Sequence, residues 1–263
     1  MRKLKRKKNY TSYIVVASIF VFSIMGVGYA YLQETLTMNV HMSKKGPDFA
    51  TDSWEKIAEH VKNGEGDVYH VGDTKEIELT GNYAGTYTLR LANTSTPAEC
   101  AGTDFSQSAC GFVVEFQDII TTEKMNSSNT NKDGWPGSEL YQKLNPKNGD
   151  TTNSVIYNAL PEELKEVIID TKVISSHGRD DSSNFQSTDK LYLFATKEIW
   201  GKDGTSNTII NDSSDNQTRQ LDYYKSIGVT TNNVSGAIKQ YQVSRKYWWT
   251  RSAFSNYGTV STL

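Results

Sequence analysis

An uncharged segment at residues 13–32 is the strongest constraint on how this chain can fold. It reads YIVVASIFVFSIMGVGYAYL and contains no acidic or basic residue. As a helix rising about 1.5 Å per residue, it would span about 30 Å, the thickness of the hydrocarbon core of a bilayer. A helix on the surface of a soluble domain would carry a polar face, which this segment lacks. We therefore predict a single N-terminal transmembrane helix over residues 13–32.

The residues beside this segment predict its orientation. Residues 1–12 contain six basic residues and no acidic one, and a basic flank of this kind remains in the cytoplasm. The segment is then a signal anchor, followed by a polar tether at 33–50 and an exported domain at 51–263. Gly28 and Ala30 also fit a signal-peptidase site after Ala30, which would release a secreted protein instead. The length of the apolar run favours the retained anchor.

The charge of the exported part argues against a nucleic-acid partner. The chain carries 28 basic and 30 acidic residues. Without the six N-terminal basic residues the balance is 22 against 30, a net charge of −8, whereas binding to nucleic acid needs a basic surface. The sequence contains no nucleotide-binding, metalloprotease or serine-hydrolase motif, and its histidines and cysteines lack zinc-site spacing. It therefore predicts neither a metal site nor a cofactor, and no motif indicates an enzyme.

The two cysteines, Cys100 and Cys110, both lie in the exported part. Export places them in an oxidising compartment, where neighbouring cysteines form disulfides. We predict one disulfide across a polar loop, with a pair of free thiols as the alternative. In the chain-entropy model such a loop closure stabilises the fold by about 2.5–3 kcal/mol.

Hydrophobic periodicity and turn residues predict short elements separated by polar loops. A helix should begin after an Asp52 cap, with Glu55 completing a capping box, and end at Gly64. Alternation predicts a β-hairpin over 76–80 and 86–91 and a central strand over 111–120. Further helices are predicted at 138–146, 162–167 and 218–228, and further strands at 168–174 and 190–195. The predicted fold class is α+β: a small twisted, mainly antiparallel sheet with short helices and long polar loops.

The largest apolar side chains are concentrated in one predicted strand, YWWTRS at 247–252. Side chains alternate along a strand, so Trp248 and Trp249 should point to opposite faces, with Arg251 on the Trp249 face. We expect the face with Arg251 to be exposed, because a buried guanidinium needs a paired acid. Trp135, in a loop with flanking Gly and Pro residues, is a third aromatic that could reach this surface.

This surface is the predicted ligand-binding site, formed by Trp135, Trp249 and Arg251. An indole beside a guanidinium suits stacking on a sugar and hydrogen bonding to its oxygens. The alternative is that both tryptophans of the strand are core residues and that Arg251 pairs with Asp222 or Glu198.

Eight segments in consistent order carry a family resemblance. They are SWEKI (53–57), VGD (71–73), CGFVVEF (110–116), GWPGS (134–138), LPEEL (160–164), DKLYL (189–193), TRQLDYY (218–224) and WWTRS (248–252). Together they resemble domain of unknown function 6273, which occurs in secreted and surface proteins of gut Firmicutes. The resemblance implies no activity. Family members usually continue past the tryptophan strand through another strand or two, whereas this sequence stops at Leu263. We therefore expect either that the closing strand is missing or that the domain at 51–263 is C-terminally truncated.

The tryptophan strand is more loosely similar to the closing strands of C-type-lectin-like folds. This similarity implies a twisted sheet whose long loops form a ligand surface. The leading functional prediction is an extracellular binding or adhesion module for a glycan, a peptide or a surface protein. A structural surface protein without a small ligand is the second hypothesis. A cell-envelope hydrolase that uses Glu115, Asp181 or Asp222 is the third, and it requires two carboxylates converging in a cleft.

Overall fold

The computed structural model describes residues 46–146, 152, 155–201, 212–253 and 260–262. The predicted basic segment and transmembrane helix, and residues 33–45 of the predicted tether, lie outside the described residues. Among those that are described, no helix is long and apolar enough to cross a bilayer. The compact unit begins at Pro47, and Phe49 is buried in its core. The fold therefore starts within the predicted tether.

The described part is an α+β fold of short helices and small antiparallel sheets, as predicted. The helices are α1 (Trp54–Lys62), α2 (Gly134–Gly137), α3 (Glu139–Leu144), α4 (Ile156–Ala159), α5 (Glu162–Lys165), α6 (Thr196–Trp200) and α7 (Asp222–Ser226). The strands are β1 (Thr74–Leu79), β2 (Gly85–Asn93), β3 (Val113–Phe116), β4 (Thr171–Ser175), β5 (Phe185–Asp189), β6 (Lys239–Tyr241), β7 (Ser244–Lys246), β8 (Trp249–Ala253) and β9 (Val260–Thr262). They form a three-stranded sheet, β1-β2-β3, and three two-stranded sheets, β4-β5, β6-β7 and β8-β9.

The N-terminal cap of helix α1 lies one residue later than predicted. The Ser53 side chain, rather than that of Asp52, accepts the first-turn hydrogen bond, from the Lys56 amide at 3.2 Å. Asp52 instead accepts hydrogen bonds from the Lys56 ammonium and the Tyr69 hydroxyl. Burial opposes ionisation, but these bonds lower the pKa of Asp52 to about 2. The helix ends at Lys62, and the predicted terminating residue, Gly64, follows the Asn63 cap with a positive φ of 79°.

The predicted hairpin is present, but its neighbour β3 is not a central strand. β1 and β2 pair in antiparallel register, and Leu89 and Leu91 of β2 are buried. β2 lies in the middle of the sheet and β3 is at its edge. β3 stops at Phe116 because the chain then turns toward the C-terminal hairpin, where the Ile119 amide bonds the Gln240 carbonyl at 2.9 Å.

The Cys100–Cys110 disulfide is confirmed. It closes the loop between β2 and β3, with ten residues of sequence separation. The disulfide thus restrains the connection between two paired strands.

Replacing Cys100 and Cys110 by serine should lower the free energy of unfolding by about 2.5–3 kcal/mol, the loop-closure term for this length. Urea unfolding of the oxidised wild type and the double variant measures the difference. Reduced wild-type protein is the control and should match the variant. Equal stability of all three samples would contradict the prediction.

The predicted strand at 190–195 is wrong, and a more polar segment, β5, forms the strand instead. The backbone at 190–195 bonds mostly side chains, and its bond to another strand is a single one, from the Arg251 amide of β8 to the Phe194 carbonyl at 3.0 Å. The Asn145 carbonyl oxygen accepts from the amides of Lys190 and Leu191, and Arg251 donates to a carbonyl of the same segment. The alternation of apolar residues at 190–195 therefore reflects their burial and not the pairing of this segment in a sheet.

The C-terminal region departs from prediction in two places. The helix predicted at 218–228 shortens to α7, although the chain still turns at Gly228, with φ 70°. The tryptophan strand β8 does have a closing partner, because Trp249 pairs with Thr262 and Ala253 with Val260 in β9. The expectation of a missing partner strand is therefore wrong.

The tryptophan strand separates two hydrophobic clusters. Trp249 packs against the larger cluster, which contains Trp54 and Leu91. Trp248 packs against the smaller one, which contains Trp200 and Tyr224. The predicted opposite orientation of the two indoles is confirmed, and both faces are core faces.

Candidate functional site

The predicted exposure of Arg251 is wrong. Its side chain is 1% exposed and forms a two-bond ion pair with Glu198 of α6. The distances are 2.6 Å from Nη2 to Oε1 and 2.7 Å from Nη1 to Oε2. Two backbone carbonyls, those of Ile174 and Leu193, accept further bonds from the guanidinium. The alternative pairing with Glu198 is therefore the correct one.

The surroundings of this ion pair satisfy both charges. The Glu198 carboxylate also accepts from the hydroxyls of Ser108 and Thr218 and from the Ala195 amide. Burial opposes its ionisation, but Arg251 and the hydroxyl donors outweigh burial and hold the pKa of Glu198 below its ordinary value. A guanidinium so enclosed has no face left for a ligand, so Arg251 links β4, β8 and α6 instead.

Trp135 is also buried, at 2% exposure. Its indole N–H donates to the Asp189 carboxylate at 2.9 Å, and its ring packs edge-on against Tyr141. Burial raises the pKa of Asp189, against the hydrogen bond from Trp135. Helix α2, which carries Trp135, packs against β8. The predicted neighbours therefore come together, but in the interior rather than on a binding surface.

Trp249 is half-buried and holds a loop in place. Its indole N–H donates to the Glu123 carbonyl at 2.8 Å, which fixes the start of the loop between β3 and α2. Of the three predicted ligand-binding residues, Trp249 is the one that contacts a residue, Glu123, that lines an open cleft.

The three carboxylates considered for hydrolysis do not share a cleft. Glu115 is buried and accepts from Lys239, Arg90 and Tyr224. Asp222 accepts from two backbone amides, from Ser95 and from Arg219. Asp181 lies on another loop and accepts from the Asp133 amide. Each carboxylate is bonded to structural partners, so the geometry gives no catalytic pair among them.

An open cleft of about 540 Å³ lies between the 122–127 loop and helix α3. All six residues that line it carry polar or charged side chains: Thr122, Glu123, Lys124, Ser127, Glu139 and Lys143. We call this feature the α3 cleft. No pattern in the sequence distinguishes these residues, because they belong to an ordinary polar loop and an ordinary helix.

Hydrogen bonds between the loop and the helix hold the α3 cleft open. The Asn126 side chain accepts from the Glu139 amide at 3.0 Å, and the Leu140 amide donates to the Met125 carbonyl at 3.0 Å. Met125 is buried in the larger cluster. The core, Trp249 and the α3 N-terminus therefore all restrain the loop that forms one side of the cleft.

The charges in the α3 cleft are mixed and partly paired. Lys143 Nζ lies 3.5 Å from Glu123 Oε1, with 44% and 30% of the two side chains exposed. The Ser127 hydroxyl bonds Glu139 and lowers the pKa of that carboxyl. The arrangement suits recognition of a polar ligand that carries both charge signs.

The matching family model covers residues 112–263 and is described as Domain of unknown function (DUF6273). This is more than half of the chain. The chain belongs to the DUF6273 family. No curated protein and no solved structure matches it.

The DUF6273 region contains the α3 cleft, the Arg251–Glu198 pair and the tryptophan strand. The resembling segments at 53–57 and 71–73 lie before the matched residues, although α1 and the first hairpin pack into the same core. Among the described residues, no group of three His, Cys, Asp or Glu side chains could hold a metal ion.

Proposed function

We propose that this DUF6273 protein is an extracellular binding module, tethered to the membrane or secreted, that holds a polar ligand in the α3 cleft. The observation that carries the proposal is a preformed cleft lined by polar and charged side chains only. A restrained cleft loses little conformational freedom when it binds, which favours affinity.

The chemistry of the cleft indicates the class of ligand. Lys124 and Lys143 can bond carboxylates or sugar oxygens, whereas Glu123 and Glu139 can accept from amines and hydroxyls. A glycan that bears amino and carboxyl groups, or a short peptide, presents this combination. The aliphatic parts of the lysine side chains add apolar contact.

The extracellular location rests on the sequence. The basic start, the uncharged segment at 13–32 and the resemblance to secreted and surface proteins of gut Firmicutes all favour export. The Cys100–Cys110 disulfide is consistent with an oxidising compartment. A C-type-lectin-like relationship would place a ligand surface on long loops, and the 122–127 loop fits that description.

Reversal of one cleft charge tests the function. Full-length protein is applied to an array of glycans and cell-wall peptides, beside the Lys143→Glu variant. Because Glu123 lies within 3.5 Å of Lys143, the variant places two acids together, and we expect binding to fall by about ten-fold or more. The control is Lys225→Glu, an equal charge change at an exposed position on α7.

Two results would contradict the proposal. The absence of any ligand on the array would favour the structural surface protein, the second hypothesis. If the Lys143→Glu variant binds as well as the wild type, the ligand binds outside the α3 cleft.

A further inference from the structure

The β6-β7 hairpin has a turn that its own residues disfavour. Its two turn residues, Gln242 and Val243, have φ values of 48° and 61°. Two-residue turns of this kind normally use Asn and Gly, because a β-branched side chain is strained at positive φ. Val243 is 94% exposed, so no burial compensates for the strain. Uncompensated strain at an exposed tip points to a role in contacts with another molecule.

One edge of this hairpin is covered and the other is open. In a hairpin with a two-residue turn, the second pair from the turn, Gln240 and Arg245, directs its backbone groups outward. The Gln240 amide donates to Asp118 at 2.8 Å, and its carbonyl accepts from Ile119 at 2.9 Å. Within the part of the chain that the structure describes, the amide and carbonyl of Arg245 have no such partners. The outer edge of β7 is therefore available for strand pairing.

The open edge is basic on an acidic domain. No acidic residue follows Asp222 in the sequence, and Arg245 and Lys246 are exposed. Lys246 lies directly across from Lys239, and like charges in opposite positions repel. Of the acids near β6, Glu115 is already bonded to Lys239 and Asp118 accepts from the Gln240 amide. Among the described residues, Arg245 and Lys246 form no ion pair. An acidic partner could therefore form an ion pair with each of them.

Apolar side chains flank the same edge. Tyr247, which follows β7, is 84% exposed, and Ile238, which precedes β6, is 41% exposed. Together with Val243 they supply contact area beside the two cations. An aromatic residue beside an arginine is typical of protein–protein contacts.

We propose that the outer edge of β7 binds an extended acidic segment of another protein by strand addition. The segment pairs its backbone with Arg245 and places acidic side chains beside Arg245 and Lys246. Val243 and Tyr247 contact its apolar side chains. This surface is separate from the α3 cleft, and its test does not depend on the ligand of that cleft.

The test uses full-length protein and a labelled peptide of alternating glutamate and valine. Fluorescence anisotropy measures the affinity for wild type and for Arg245→Glu/Lys246→Glu, which should bind about ten-fold or more weakly. The matched control is Lys62→Glu/Lys132→Glu, the same charge change at two exposed positions elsewhere, which should bind like wild type. Thermal unfolding midpoints confirm that all three proteins are folded.

A second peptide separates strand addition from charge attraction. It has the same side chains but carries N-methyl groups on alternate residues, so one edge cannot donate hydrogen bonds. We expect its affinity to fall by about ten-fold or more. The proposal is overturned if the parent peptide does not bind, or if the charge-reversed protein binds it equally. It is also overturned if N-methylation has no effect while polyphosphate displaces the parent peptide, because that pattern identifies a general polyanion surface.

Discussion

Replacement of Arg251 by methionine should lower the free energy of unfolding at neutral pH by about 3–5 kcal/mol, the usual result of leaving one partner of a buried ion pair alone. Methionine keeps apolar volume in the site but removes both bonds to Glu198, and neither side chain of the pair is exposed. Two backbone carbonyls lose their donor as well. Urea unfolding followed by tryptophan fluorescence measures the difference.

The ion pair stabilises the wild type more at neutral pH than in acid, so the stability that the Arg251→Met variant loses should be greater at neutral pH than in acid. In the wild type the pKa of Glu198 is held below its ordinary value of 4.5. The pair therefore stabilises fully above that pH, and its contribution is lost as the pH falls through the folded-state pKa. Without Arg251, only the hydrogen bonds from Ser108, Thr218 and the Ala195 amide oppose the effect of burial, so the pKa of Glu198 should rise and the carboxyl is more easily buried when protonated. The deficit of the variant should be smaller at about pH 4 than at neutral pH.

An ion pair with one solvent-exposed partner supplies the control for this experiment, since Lys165 is 17% exposed and Glu162 is 85% exposed. Lys165 bonds Glu162, and Lys165→Met should change the free energy of unfolding by about 1 kcal/mol or less. If Arg251→Met is as mild as this control, or if its deficit does not depend on pH, the buried pair is not the stabilising link described above.

Replacement of Glu115 by glutamine should also lower the free energy of unfolding by about 3–5 kcal/mol. The carboxylate accepts from Lys239 at 2.8 Å, from Arg90 at 2.7 Å and from Tyr224 at 2.8 Å. Glutamine has the same shape, but it leaves two buried cations without a negative charge. Since this cluster joins β2, β3, α7 and β6, its loss should also loosen the C-terminal hairpin.

The free energy of unfolding at low pH tests the same cluster of Glu115, Lys239 and Arg90. Burial would raise the pKa of Glu115, but Lys239 and Arg90 outweigh it and hold the pKa below 4.5. The wild type should therefore lose stability as the pH falls below about 4.5, and Glu115→Gln should show a smaller loss over that range. The comparison variant is Lys239→Met, which leaves Arg90 on the carboxylate and should be milder. Equal destabilisation by the two variants would contradict the assignment of Glu115 as the centre of the cluster.

Several features of the fold follow from residues close together in sequence. The apolar stripe of α1 and the turn at Gly64 that follows it, the first hairpin, and the Cys100–Cys110 disulfide are all predicted correctly. In each of these cases the interaction joins neighbours on one turn, one hairpin or one short loop. Hydrophobic spacing and turn residues record such interactions directly.

The errors concern residues whose partners lie far away in sequence. Arg251 was expected to be exposed, with pairing to Asp222 or Glu198 as the alternative, and the partner is Glu198, which lies 53 residues earlier. The segment at 190–195 was expected to be a strand, but Asn145 and Arg251 take its backbone groups. Beside the α3 cleft, Trp249 reaches back 126 residues to the Glu123 carbonyl. None of these pairings leaves a local pattern in the sequence.

The amino-acid sequence alone was sufficient to predict the α+β class, the disulfide and the opposite orientation of Trp248 and Trp249. Each of these depends on alternation or short spacing, which a backbone of fixed geometry imposes. Only the folded structure decided that both tryptophan faces are core, that Arg251 is an internal link and that the open cleft lies beside α3. Burial and ion pairing are properties of the whole packed domain, because any polar residue can be buried when a distant partner satisfies it.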